Sequence, residues 1–220
     1  MSARRLSIAL ACGLALAAVA GCGGQTDGSR GGGITKAVAA RVLPKAPGVD
    51  TAEAQRLITG NAPRLAAYMV DRGGSVLMVK AGERAGVARW RSADNVQFYL
   101  RDGLIIGTRG LGFDLMTADT GGAAGLIRTA RPGQITRVHR HLNGEGRIVI
   151  RSYVCDIEPA GTETVRIPDK PSVQALRVNE ICHSPGGDFR NAYWLRDGRL
   201  VQTRQFIGDG VGRAQLIFLP

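Results

Sequence analysis

Aromatic residues are scarce in this sequence: two Trp, four Tyr and five Phe, or 5% of the chain. A β-rich core needs large side chains, so most of these few are expected to pack inside rather than form a stacking surface. Lysine is nearly missing. Lys36, Lys45, Lys80 and Lys170 are the four, so the 29 basic residues include 25 arginines. Acidic residues number 18, which leaves a formal charge of +11. Only one long apolar run exists, Leu6 to Ala20, and it is shorter than the ~20 residues a spanning helix needs. A multi-pass membrane protein is thereby excluded. Extended disorder is excluded by 44% apolar against 21% charged residues, and 220 residues bound the chain to about one domain. The sequence also has no C-x-x-C, H-E-x-x-H, Walker lysine loop or G-x-S-x-G elbow. No catalytic residue, metal ligand set or cofactor is assigned.

The first 21 residues read as a lipoprotein signal peptide. Arg4 and Arg5 form a charged start, the apolar run follows, and Val19-Ala20-Gly21-Cys22 supplies small residues before a cysteine. Cys22 is the predicted lipidation site and new N-terminus, carrying diacylglycerol and palmitate. Acyl chains hold a protein at a bilayer without a transmembrane helix. Gly23 stands where an inner-membrane-retained lipoprotein carries Asp, so the predicted address is the outer membrane, facing the periplasm. Residues 22–33 are the lipidated cysteine and a flexible glycine-rich tether, and 34–220 a single β-rich periplasmic domain. Loss of Arg4 and Arg5 lowers the charge from +11 to about +9 by the same count. Anionic glycans, phosphates of lipopolysaccharide and acidic proteins are the partners available there; nucleic acid is not.

Cys12 leaves with the signal peptide and Cys22 carries lipid, so Cys155 and Cys182 remain in an oxidising compartment. They are predicted to form a disulfide. A metal site is the weaker alternative, since His183 is the only other ligand type beside them.

The pattern of the domain is mainly β: bent antiparallel sheets built from hairpins, with one or two short helices. Strands are predicted at 96–101, 104–109, 134–142, 147–157, 173–182, 190–196, 199–207 and 212–219, and helices at 50–60 and 122–128. Asp102-Gly103, Asn143-Gly144 and Asp197-Gly198 mark two-residue type I′ turns. Connections are too short for crossover helices. The segment from Phe98 to Arg109 resembles that from Tyr193 to Arg204, as a duplicated half or as one hairpin solution used twice. A two-residue turn would pair Leu100 with Ile105 and Tyr99 with Ile106, and Leu195 with Leu200 and Trp194 with Val201.

Arg137, His139 and His141 share one face of a strand, and Arg128, Arg131, Arg140 and Arg151 lie close in sequence. These seven form either a solvated face or a site for an anionic ligand, because arginine matches carboxylates and phosphates bidentately. The histidine pair is a poor metal site among so many cations. Trp90 and Trp194 are candidates for glycan stacking if exposed. The glycines of Thr108–Met116 are expected to bend the chain and place Phe113, Leu115 and Met116 in the core, with Asp114 as a buried acceptor capping the backbone or pairing with an arginine.

The runs Trp90-Arg91-Ser92-Ala93-Asp94 and Thr108-Arg109-Gly110-Leu111-Gly112-Phe113-Asp114-Leu115-Met116, with Arg137-Val138-His139-Arg140, Tyr153-Val154-Cys155-Asp156, Cys182 and Tyr193-Trp194, resemble the YjbF/GfcB family of group 4 capsule lipoproteins. The resemblance covers most of residues 40–220. It implies an all-β fold and an outer-membrane lipoprotein serving exopolysaccharide or capsule production, and it carries no catalytic site. The expected function is a non-enzymatic accessory factor in exopolysaccharide or capsule assembly or export, with export proteins and acidic polysaccharide as partners. The alternative is an outer-membrane-anchored enzyme of the hydrolase type that modifies periplasmic glycan.

Overall fold

Alternation of inward and outward side chains, in strands of five to eighteen residues joined mostly by glycine-bearing turns, builds one continuous antiparallel sheet. The structure is a computed structural model and describes residues 63–168 and 170–219. The signal peptide, Cys22, the tether and the helix predicted at 50–60 lie outside the described residues. The strands are β1 (Arg64–Met69), β2 (Ser75–Arg84), β3 (Val87–Ser92), β4 (Gln97–Arg101), β5 (Leu104–Arg109), β6 (Leu115–Asp119), β7 (Gly133–Leu142), β8 (Ile148–Val165), β9 (Val173–His183), β10 (Phe189–Arg196), β11 (Arg199–Gly208) and β12 (Gly212–Leu219). The helix α1 (Ala123–Thr129) joins β6 to β7. Sheet order is β5-β4-β3-β2-β1-β12-β11-β10-β9-β8-β7-β6. The sheet curls until its edges nearly meet: a Cβ on Gly107 of β5 would lie 3.4 Å from the Met116 carbonyl of β6. The result is a twelve-stranded, almost closed barrel.

The mainly β, antiparallel expectation holds, and the sequence reading left out β1, β2, β3 and β6. Both Asp-Gly turns form as predicted, with φ of +52° at Asp102 and Asp197 and positive φ at Gly103 and Gly198. Leu100 pairs with Ile105 and Leu195 with Leu200. The next rungs differ from expectation. Tyr99 meets Gly107 and Trp194 meets Gln202, because each hairpin carries a bulge at the same place, with Ile106 and Val201 the extra residues opposite the Tyr99–Leu100 and Trp194–Leu195 steps. Asn143-Gly144 is not a two-residue turn. Asn143 accepts from the amides of Glu145 (3.0 Å) and Arg147 (2.8 Å), and Gly146 takes the positive φ instead.

Apolar side chains of β1–β6, β11 and β12, among them Leu65, Met78, Trp90, Phe98, Leu115 and Leu216, fill one part of the interior. α1 packs Ala123 and Ile127 against Leu104, Ile157, Val178, Tyr193 and Leu195 in another. Entry to α1 depends on Gly121, where a Cβ would sit 2.0 Å from the Thr136 carbonyl oxygen. Gln205 reaches from β11 to the edge strand β5, accepting from the Ile105 amide (2.8 Å) and donating to the Gly103 carbonyl (2.9 Å). The gap in the ladder at that edge is thereby bridged by a side chain.

Candidate functional site

Two polar arrangements stand out, one enclosed and one on the surface. The enclosed one is built on β7, β9 and β10. Arg137 Nε donates to Glu180 Oε1 at 2.5 Å and its Nη2 to Tyr193 Oη at 3.1 Å. Tyr193 Oη and Asn191 Nδ2 each donate to Glu180 Oε2 at 2.7 Å, and Asn191 Oδ1 accepts from the Phe206 amide at 2.8 Å. Both oxygens of the buried carboxylate are thus satisfied, as a buried ion pair requires. Tyr193 is held well above the ordinary phenol range by desolvation, with Glu180 adding to it. His139 lies beside this network, 1% exposed, its ring stacked on Phe189 at 5.4 Å and tilted to Tyr153 at 5.3 Å. Neither ring nitrogen has a hydrogen-bond partner. Burial, then the charges of Arg137 and His141, push its pKa down to about 3.

Cys155 and Cys182 face each other on β8 and β9 and form the predicted disulfide, Cα to Cα 4.0 Å. With Glu180 they make the one three-residue grouping of metal-ligand types among the described residues. Sulfurs joined to each other offer no thiolate, so that grouping does not ligate metal in this state.

The surface arrangement lies on the outer side of β9–β12. Ladder register puts Asn179, Ala192 and Arg204 on one rung. Arg177 on β9, Arg190 on β10 and Arg213 on β12 flank it, and Ala192, with only a methyl group, leaves a depression of about 170 Å³ among these long side chains. A second cavity of about 390 Å³ adjoins it, sharing Ile181, Arg190 and Arg213. Arg177 pairs with Glu163 at 2.8 Å and Arg213 with Asp71 at 2.6 Å, and hydrogen bonds from those arginines hold both carboxyls below their ordinary range. Arg204 donates from Nη2 to Gln215 at 3.0 Å, while its buried Nε has no partner. Arg190 is exposed and has no hydrogen-bond or ion-pair partner among the described residues. The guanidiniums of Arg177 and Arg204 lie over Trp194 at 5.6 and 5.8 Å from its ring centre, which fixes their direction.

Residues 42–219 match the model of the family described as group 4 capsule polysaccharide lipoprotein gfcB, YjbF. The chain belongs to that family. A crystal structure of the hypothetical lipoprotein YmcC from Escherichia coli (K12) has the same fold, with a TM-score of 0.65 and 20% identity over 81% of this chain and 98% of that one. No curated protein sequence matches the chain.

Within this YjbF-family fold the seven basic residues singled out in the sequence do not form one face. Arg137 and His139 are buried inside the barrel, so the reading of them as solvated or anion-binding is corrected. The shared face was right and its direction was not: Glu180 and Tyr193, from distant strands, supply the partners that let Arg137 go inward. His141 is half-buried at one mouth, and desolvation lowers its pKa. Arg151 is tied there to Asp209 at 2.5 Å. Arg140 lies on the opposite side of β7, and Arg128 and Arg131 are exposed at the end of α1. Trp90 and Trp194 are 6% and 5% exposed and offer no stacking face. Trp194 Nε1 donates to Glu163 Oε2 at 2.9 Å.

The loop between β5 and β6 departs from expectation in another way. Leu115 is buried, but Phe113 is 62% exposed and lies against Gly210. Asp114 accepts from the amides of Gly110 and Leu111 and from Thr108 Oγ1, and so caps the backbone without an arginine. The outer arginine groove went unnoticed in the sequence. Its signal was present as alternation, Arg177-x-Asn179-x-Ile181 and Arg190-x-Ala192-x-Trp194, but nothing local shows that these strands are neighbours.

Proposed function

We propose that the protein is a non-enzymatic accessory factor in exopolysaccharide or capsule assembly or export, held to the outer membrane by lipid on Cys22 and facing the periplasm. The observation that carries this reading is the match of residues 42–219 to a capsule polysaccharide lipoprotein family. Among the described residues the barrel interior is filled with packed side chains and a saturated ion-pair network. Asp71 and Asp209 are each paired with an arginine, Asp188 is hydrogen-bonded to His183, and Asp114 caps a loop. The role is to hold export proteins or the growing polymer near an outer-membrane exit.

Deletion of the gene tests the proposal. Polymer should disappear from the cell surface and accumulate in the periplasm, and Cys22→Ser should abolish acyl labelling and release the protein from membranes. Unchanged surface polymer in the deletion strain would sink the accessory role. Release of sugar fragments from periplasmic polymer by the purified protein would favour an enzyme instead.

A further inference from the structure

We infer that the arginine-lined depression on the outer face of β9–β12 binds an acidic polysaccharide through its carboxylates, an inference that rests on the accessory reading above. The charge balance favours an anion. Four arginines converge (Arg177, Arg190, Arg204 and Arg213), and among the described residues only Arg177 and Arg213 have a carboxylate within ion-pair distance. Among the described residues Arg190 has no counter-ion, and Arg204 donates to the neutral Gln215, with the carboxylates of Asp71 and Glu163 near enough to feel its charge.

The geometry favours a sugar polymer over a small ion. Guanidinium forks match carboxylates with two parallel hydrogen bonds. Arg177 and Arg204 are already oriented over Trp194, Arg177 with its Nε and Nη1 bonded to Asn179 and Glu163, so less side-chain freedom is lost on binding. Asn179, whose Oδ1 accepts from Arg177 Nε at 2.8 Å, keeps an amide nitrogen to donate to a hydroxyl. The depression runs into the adjoining cavity through Ile181, Arg190 and Arg213, so the site is elongated as a chain of rings requires. Asp188 in that second cavity is hydrogen-bonded to His183 at 2.9 Å.

The test uses the full chain in detergent with polygalacturonate as the carboxylated probe, dextran as the neutral one and polyglutamate as the acidic peptide, measured by calorimetry. Polygalacturonate should bind, dextran should not, and affinity should fall as salt rises past ~0.15 M, where the Debye length is about 8 Å. Arg190→Ala and Arg204→Ala should each weaken binding by about tenfold, and Arg190→Lys by less. Arg190 is exposed and unpaired among the described residues, so its removal leaves the fold intact and decides the matter even if Arg204→Ala does not fold. Failure to bind polygalacturonate, or binding undiminished in Arg190→Ala, overturns the inference. Polyglutamate binding as tightly as polygalacturonate overturns it in favour of an acidic protein partner. These failures are separable from failure of the accessory reading, which is scored by surface polymer in the deletion strain.

Discussion

Replacing His139 with phenylalanine should stabilise the protein, and more in acid than at neutral pH. The histidine is buried among Tyr153, Phe189 and Phe206, and its two nitrogens have no partners. Its native pKa of about 3 contrasts with the ordinary value of about 6.5 in an unfolded chain. Between those values the unfolded state takes up a proton that the native state refuses, so native stability falls as pH drops from about 6.5 towards 3. Between pH 7.5 and 5.0 that single group removes about 2 kcal/mol. At pH 7.5 the benefit of phenylalanine is the relief of two desolvated nitrogens, about 1–3 kcal/mol, reduced by strain from a slightly larger ring. The expected gain is therefore about 1 kcal/mol at pH 7.5 and about 3 kcal/mol at pH 5.0. Urea unfolding of the disulfide-intact protein and the variant at both pH values gives it directly, since other titrating groups cancel in the difference. An equal difference at the two pH values, or an imidazole titrating near 6 by NMR, would refute the reasoning.

Three further substitutions probe the fold. Gln205→Leu strands the Ile105 amide and the Gly103 carbonyl and should cost about 2 kcal/mol. Amide exchange at Ile105 should then accelerate selectively, and unchanged exchange would show that β5 does not need the bridge. Arg137→Met leaves Glu180 buried without its cation and should cost about 3–5 kcal/mol, with Arg137→Met/Glu180→Gln recovering part of the loss. Strict additivity of the two changes in a double-mutant cycle would contradict that coupling. Cys155→Ser opens a cross-link between residues 27 apart and should lower stability by about 3 kcal/mol; free thiols in periplasmic protein would overturn it.

The hairpins were legible because their signals are local. Asp102-Gly103 and Asp197-Gly198 need only two residues at positive φ, and the first rung of each hairpin followed from the turn. The bulges after Tyr99 and Trp194 were not legible, since an extra residue in a strand answers to the packing of its neighbours. β1 was missed because Arg-Leu-Ala-Ala-Tyr-Met has no β-branched residue and becomes a strand only between β2 and β12. The arginine groove was hidden for a related reason. Its members sit on four strands that are adjacent in the sheet, and each strand alone reads as an ordinary solvated face.

What the sequence determined by itself was periodicity, turn chemistry and the one cysteine pair left to cross-link. It placed Arg137, His139 and His141 on one face of β7, because alternate residues of a strand must share a side. It did not determine which side is inside. The inward face of β7 carries Ile135, Arg137, His139 and His141 and the outward face Thr136, Val138, Arg140 and Leu142, so neither is clearly the apolar one. The tertiary structure decided it by bringing up Glu180 and Tyr193, 43 and 56 residues beyond Arg137, to satisfy a charge that could not otherwise leave water.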